Sequence, residues 1–182
     1  METIQKAING DKRAFTELYK EYRQEIFSFL LGRMHSREDA LDLTSDVFMA
    51  AFSGITSFRL ASSFRTWLYG ISRHKLNDYY GKKGLEEQRF EGLSEADDPM
   101  GSPEQIEANR ISDTTQEIES NLDLDEILKK LTPGEQEILL MHNINGLQFS
   151  ECANILNINE GYARVFHQRA LMKAKTLATV LK

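Results

Sequence analysis

Cysteine is almost absent from this sequence. Cys152 is the only one, which rules out an internal disulfide and sets a reducing compartment, the cytoplasm, as the expectation. No apolar run approaches the roughly 18 residues that a membrane span needs, so membrane insertion is not expected. The opening stretch METIQKAINGDKRAF has no apolar h-region of a secretory signal. Catalytic signatures are missing too. His35, His74, His142 and His167 fall at no metal-ligand spacing, and neither a phosphate-binding glycine loop nor a nucleophile elbow occurs. No enzyme activity, metal or cofactor is therefore expected. What remains, 41% hydrophobic and 27% charged residues over 182, is ordinary for a folded chain of one medium or two small domains.

The net charge of −6 argues at first against nucleic acid, but the average conceals an asymmetry. Residues 1–83 carry 13 Lys and Arg against 10 Asp and Glu, a net of +3. Residues 84–127 carry 2 against 14, a net of −12, and residues 128–182 carry 7 against 4, again +3. Two mildly basic ends flank an acidic middle, a pattern suited to a polyanionic partner at the ends.

Helical periodicity dominates. Phe15, Leu18, Tyr19, Tyr22, Ile26, Phe29 and Leu30 recur at three and four, so a helix is expected over about 12–34, with Asp11 as its N-cap. SRED (36–39) has the form of a capping box and opens a helix with Ala40, Leu43, Val47, Phe48 and Ala51 inward. SGITSFRLASS (53–63) has no helical period and reads as a loop. FRTWLYGISRHKLNDYY (64–80) is the puzzling stretch. Phe64, Trp67, Leu68 and Ile71 make one core stripe, while Tyr69, Leu76 and Tyr80 make a second, interleaved with Arg65 and Arg73. From residue 84 to about 115 the chain reads as an acidic linker, with a short helix after Ser102–Pro103. Leu122, Leu124, Ile127, Leu128 and Leu131 then resume helical spacing, and TPGE (132–135) is a capping box with proline at the first helical position. No strand alternation appears. The expected fold is all-α: two small helical domains, 1–83 and 116–182, joined by the linker 84–115.

Residues 147–175 have the layout of a helix-turn-helix. A short helix over about 149–156 carries Cys152, Ala153 and Leu156 inward, and Cys152 reads as a small core hydrophobe. Asn157 stands where a left-handed residue is needed, and Asn159 can cap a second helix beginning near Glu160. Tyr162, Arg164, His167 and Arg169 lie early enough in that helix to reach a major groove and its phosphates.

DALDLTSDVFMAAF, then FRTWLYGISRHKLNDYY, an acidic linker, and LTPGEQEILLMHNINGLQFSECANILNINEGYARVFHQRA together resemble a bacterial RNA polymerase sigma factor of the compact extracytoplasmic-function type. The resemblance implies roles by position. Asp39, Asp42, Leu43, Asp46 and Val47 would meet the β′ clamp helices of core RNA polymerase. Arg59, Ser62, Ser63, Arg65, Tyr69, Arg73, Lys75, Asn77 and Tyr80 would bind the minus-ten element and its separated strand, with Trp67 structural. Glu160, Tyr162, Ala163, Arg164, Phe166, His167 and Arg169 would read the minus-thirty-five element, in a domain that also meets the β flap. Phe166 and His167 depart from the more basic recognition helix usual in the family. The acidic linker would thread the basic polymerase cleft, and an anti-sigma protein is an implied partner. The alternative from the residues themselves is an autonomous helix-turn-helix regulator with an N-terminal sensor or dimerisation domain.

Overall fold

A computed structural model describes residues 2–85 and 121–180, with side chains from 124 in the second stretch. Most of the expected linker, its short helix and the side chain of Leu122 lie outside the described residues. The chain divides into two units, Met1–Phe90 and Glu91–Lys182. Every regular element among the described residues is helical.

The first unit contains α1 (Glu2–Ile8), α2 (Lys12–Met34), α3 (Arg37–Gly54), a 3₁₀ turn (Ile55–Ser57) and α4 (Phe64–Lys82). The short α1 gave no periodic signal; Ala7 is its one buried residue. Asp11 caps α2 as expected, accepting from the Arg13 and Ala14 amides at 2.8 and 3.3 Å. His35 ends α2 in the left-handed region, at φ 56°. Ser36 caps α3 by accepting from the Asp39 amide at 3.3 Å.

Asp39, the other half of the expected capping box, is drawn across to the end of α4. Its Oδ2 accepts from the Tyr79 hydroxyl at 2.7 Å and from Lys83 Nζ at 3.4 Å. Lys83 also bonds the Tyr79 hydroxyl and lies over its ring, 4.3 Å from the centroid. The hydrogen bond from Tyr79, ahead of those from Ser36 and Lys83, holds the Asp39 carboxyl below its ordinary pKa. Bonding to Tyr79 and to Asp39 raises Lys83.

Helix α4 is packed on two sides, against α2 and α3. This resolves its two stripes. Phe64 and Leu68 are buried on one; Tyr69, Leu76 and Tyr80 are equally buried on the other. Trp67 and Ile71, expected inside, are only half-buried. Aromatic edges join the layers: Tyr22 to Phe64 at 5.5 Å, Phe29 to Tyr69 at 5.0 Å and Tyr19 to Phe48 at 4.9 Å. Burial also pushes the Tyr22 phenol up to about 12. The Tyr80 hydroxyl donates to the Arg33 carbonyl at 2.7 Å, satisfying one of the orphan acceptors in the last turn of α2.

The second unit contains α5 (Asn121–Lys129), α6 (Pro133–Leu139), a π-helical turn (Leu140–Ile144), α7 (Phe149–Leu156) and α8 (Glu160–Val180). The Thr132–Glu135 capping box forms in both directions. Buried Gln136 donates to the Leu128 and Leu131 carbonyls at 2.7 and 3.1 Å, closing the end of α5. Gly146, at φ +67°, makes the turn into α7 that a side chain would strain. Cys152 is fully buried, as a core residue.

Two stability predictions follow from the ties on α4. Tyr80→Phe leaves the Arg33 carbonyl short of its partner and is expected to cost about 1–3 kcal/mol. Urea unfolding followed by Trp67 fluorescence measures it, because the chain's one tryptophan lies in this unit. Asp39→Asn tests the charge. A carboxyl whose folded pKa is depressed stabilises above the unfolded value near 3.9 and loses that contribution as pH falls through the folded one. The Tm gap between parent and Asp39→Asn should therefore hold near neutrality and close below about pH 4. A gap unchanged down to pH 2 would remove the ionic role.

Candidate nucleic-acid and polymerase interfaces

The outward face of α3 is built by elimination. Leu43 and Val47 are 6% and 0% exposed, so they belong to the core and not to the contact surface the sequence suggested. The exposed strip holds Leu41, Asp42, Ser45, Asp46 and Met49, with Phe52 beyond them. Leu41, Met49 and Phe52 keep 48%, 68% and 45% of their surface. Two carboxylates among large apolar side chains form a mixed surface, whereas Asp39 is committed to Tyr79 and Lys83. Leu41 and Met49 escape a search for acidic residues. The signal available for them was the inward set Ala40, Leu43, Val47 and Ala51, which leaves 41, 45 and 49 facing out.

The loop between the 3₁₀ turn and α4 presents Arg59, Leu60 and Ala61 to solvent, with Ser62 half-buried. Leu60 sits at φ 55°, a left-handed conformation costly for a branched side chain. Ser63 is occupied locally as the N-cap of α4, accepting from the Thr66 amide at 3.0 Å. Three further residues expected at nucleic acid are corrected. Arg65 Nε donates to Glu25 Oε1 at 2.6 Å, and the Tyr69 hydroxyl donates to the same oxygen at 2.9 Å. Tyr69 and Tyr80 are 0% and 5% exposed, so neither ring can stack on a base. The cause is the second packing interface of α4.

Arg73, Lys75 and Asn77 do reach the surface in part. Trp67 stacks on Phe58 at 4.9 Å and 27°, and its half-exposed indole lines a shallow groove with Ala50, Gly70, Ile71, His74 and Lys75. An aromatic surface beside a cation therefore exists on α4, on the side that the sequence pattern had given to the core.

In the second unit the expected turn forms. Asn157 adopts φ 57°, ψ 48°, and Asn159 Oδ1 accepts from the Tyr162 amide at 2.7 Å. Ala153, 4% exposed, is small at the α7–α8 contact. Two of the expected contact residues turn inward. Ala163 is 0% exposed, and His167 is 8% exposed with its Nε2–H donating to Asn143 Oδ1 at 2.7 Å. His167 also meets the edges of His142 and Phe149, at 4.8 and 5.2 Å. Its place in the core explains why a histidine is accommodated there without serving DNA.

Glu160, Arg164, Tyr162, Phe166 and Arg169 remain at or near the surface. Arg164 bonds Glu160 one turn earlier and lies over Phe149, 4.8 Å from the ring centroid. Tyr162 and Phe166 stack in parallel at 6.0 Å and 11°. Val165 and Gln168 are half-buried on the same helix. Lys173 ties α8 to α6 through Glu135 at 2.7 Å. No group of three metal-ligating side chains gathers among the described residues. No helix there is long and apolar enough to cross a membrane.

Comparison with known proteins agrees with this geometry unit by unit. The sigma-70 region 2 family model matches residues 18–86, and the sigma-70 region 4 model matches 121–173. RNA polymerase sigma factor YlaC of Bacillus subtilis is 32% identical over 163 residues, covering 87% of this chain and 88% of its own. The ECF RNA polymerase sigma factor SigM of the same organism is 27% identical over 161 residues, covering 88% of this chain and 93% of its own. Among solved structures, sigma factor RpoE of Bartonella quintana, in complex with anti-sigma factor NepR, superposes with a TM-score of 0.68 at 21% identity. That pair of structures covers 92% of this chain and 98% of RpoE. With region 2 and region 4 on its two units and a relative above 30% identity along most of both chains, this chain belongs to the sigma-70 family, as an RNA polymerase sigma factor of the extracytoplasmic-function type.

Proposed function

We propose that the first unit both docks on core RNA polymerase and opens the promoter, while the second reads the duplex upstream. The observation that carries this reading is that α3 and α4 turn chemically different surfaces outward from one shared core. The α3 strip, Asp42 and Asp46 among Leu41 and Met49, suits a helical partner bearing both arginines and apolar side chains. On α4 and the preceding loop, Arg59, Arg73 and Lys75 supply cations for phosphate, and Trp67 supplies a ring. Ser62 and Asn77 are polar neighbours of that surface. Asp39, Arg65, Tyr69 and Tyr80 act one step back as positioning residues, because they hold α4 in place.

The helix-turn-helix of the second unit presents α8 to the minus-thirty-five element, and the same unit meets the β flap. The −12 charge of residues 84–127 supports the acidic linker 84–115 as an occupant of the basic polymerase cleft until nascent RNA, another polyanion, displaces it. RpoE was solved with an anti-sigma factor, which supports an anti-sigma partner here as well. Action on polymerase and promoter supports a cytoplasmic location. An autonomous regulator would need a sensor or dimerisation domain at the N-terminus; the region 2 match over residues 18–86 speaks against one.

Run-off transcription with bacterial core polymerase tests the whole reading: promoter-specific transcripts are expected only when the chain is added. Asp42→Lys with Asp46→Lys should weaken core binding by about tenfold or more, since like charges are brought together at the contact. Helix content should not change, and unaltered affinity in a fluorescence titration would remove α3 as the docking surface. Arg73→Ala with Lys75→Ala should bind core normally yet fail to open a linear promoter. A pre-melted bubble should restore most of its transcription. Permanganate reactivity of unpaired thymines measures opening directly, and parental reactivity would refute the melting role of this face.

A further inference from the structure

Asp39 belongs to two surfaces at once. Along α3 it precedes Asp42 by one turn and Asp46 by two, and at 100° per residue these carboxylates fall within about 60° of one another, on one edge of the outward strip. Across the gap to α4, its Oδ2 accepts from the Tyr79 hydroxyl at 2.7 Å and faces Lys83 Nζ at 3.4 Å. Tyr79 is set by the buried ring of Tyr80, which it meets at 5.3 Å and 75°. Lys83 is the C-cap of α4, so both groups come from the last turns of that helix. The contact is a surface one. The Lys83 side chain keeps 48% of its surface and that of Asp39 keeps 35%, enough for a second partner to approach the carboxylate from outside.

The partner suited to the α3 strip is an arginine-bearing helix, and a guanidinium holds a carboxylate best through both oxygens. At Asp39 one oxygen is already loaded. Lys83 also places a positive charge beside that atom, which cancels the attraction the carboxylate would exert and repels an incoming arginine. We infer that Tyr79 and Lys83 withhold Asp39 from core polymerase in the free chain, and that docking on α3 takes it from them. This inference rests on the reading of α3 as the docking strip. Because the pair is exposed, withholding it trims docking rather than blocking it, by about two- to fivefold. By linkage, docking weakens the hold of Asp39 on the end of α4 by the same factor. Tyr79 and Lys83 are thus positioning residues that tune polymerase affinity through a carboxylate on another helix.

The test is a fluorescence titration of the full chain with bacterial core polymerase. Tyr79→Phe with Lys83→Gln should tighten binding by about two- to fivefold at low salt, and the gain should shrink as salt is raised. A merely damaged helix would lose affinity, not gain it. Lys82→Gln removes the same charge from the exposed neighbouring position and should give no such gain. Introduced into Asp39→Asn, the Tyr79→Phe and Lys83→Gln pair should leave affinity unchanged, because no carboxylate remains to be released. Affinity unaltered or reduced by the pair in the parent chain, or a gain that persists in Asp39→Asn, would overturn the inference. Either result leaves α3 as the docking surface so long as Asp42→Lys with Asp46→Lys weakens binding; parental affinity in that variant would overturn both.

Discussion

The packing of α4 on two faces is the constraint from which the first unit takes its form. A helix with one neighbour needs a single apolar stripe; α4 has α2 on one side and α3 on the other, and it supplies Phe64 and Leu68 to one stripe and Tyr69, Leu76 and Tyr80 to the other. Polar ties lock the arrangement at intervals along the helix. Glu25 receives both Arg65 and Tyr69 near the start, Tyr80 reaches the last turn of α2, and Tyr79 with Lys83 holds Asp39 at the far end. With those flanks consumed, α4 leaves Gly70, His74 and Asp78 exposed, with half-buried Trp67, Arg73, Lys75 and Asn77 around them.

The same economy explains how one small unit turns two chemically different surfaces outward. Helix α3 buries Ala40, Leu43, Val47 and Ala51, so its acidic and apolar strip must face out. Helix α4 buries Tyr69 and Tyr80 and pairs Arg65 with Glu25, so Arg73, Lys75 and one edge of Trp67 are left toward solvent. On the proposed reading, opposite chemistries on two helices that share a core would keep the α3 strip from competing for phosphate, because carboxylates repel the DNA backbone. In the second unit, inward placement of Ala163, His167 and Ala170 has a parallel effect on α8, which leaves Arg164, Tyr162, Phe166 and Arg169 at or near the surface.

Much of this architecture was legible before any coordinates, for reasons that are local. Asp11, Ser36, Thr132 and Asn159 cap helices because a side-chain oxygen lies within reach of an amide two or three residues away. Asn157 takes the left-handed turn because its short polar side chain tolerates that conformation. Helix α2, Lys12–Met34, encloses the apolar period Phe15 to Leu30. Such features depend on neighbours in the chain, and sequence contains them. The capping box at Ser36 formed only by half, since Asp39 found stronger partners 40 and 44 residues away.

Which side of a helix meets solvent was a different matter. Periodicity showed two stripes on 64–80 and basic or aromatic residues along 160–169, but a stripe has the same spacing whether a neighbour or a ligand covers it. Tyr69 and Tyr80 became core, and Trp67 stayed half-exposed, because α2 and α3 arrive on particular flanks of α4. Arg65 became an internal ion pair because Glu25 stands opposite it. His167 was buried because Phe149, His142 and Asn143 close around it. Family membership and helical layout were carried by residues near one another in the chain; the partition of α4 and α8 into core and contact surface was decided by tertiary packing, since burial is a property of what lies across the gap.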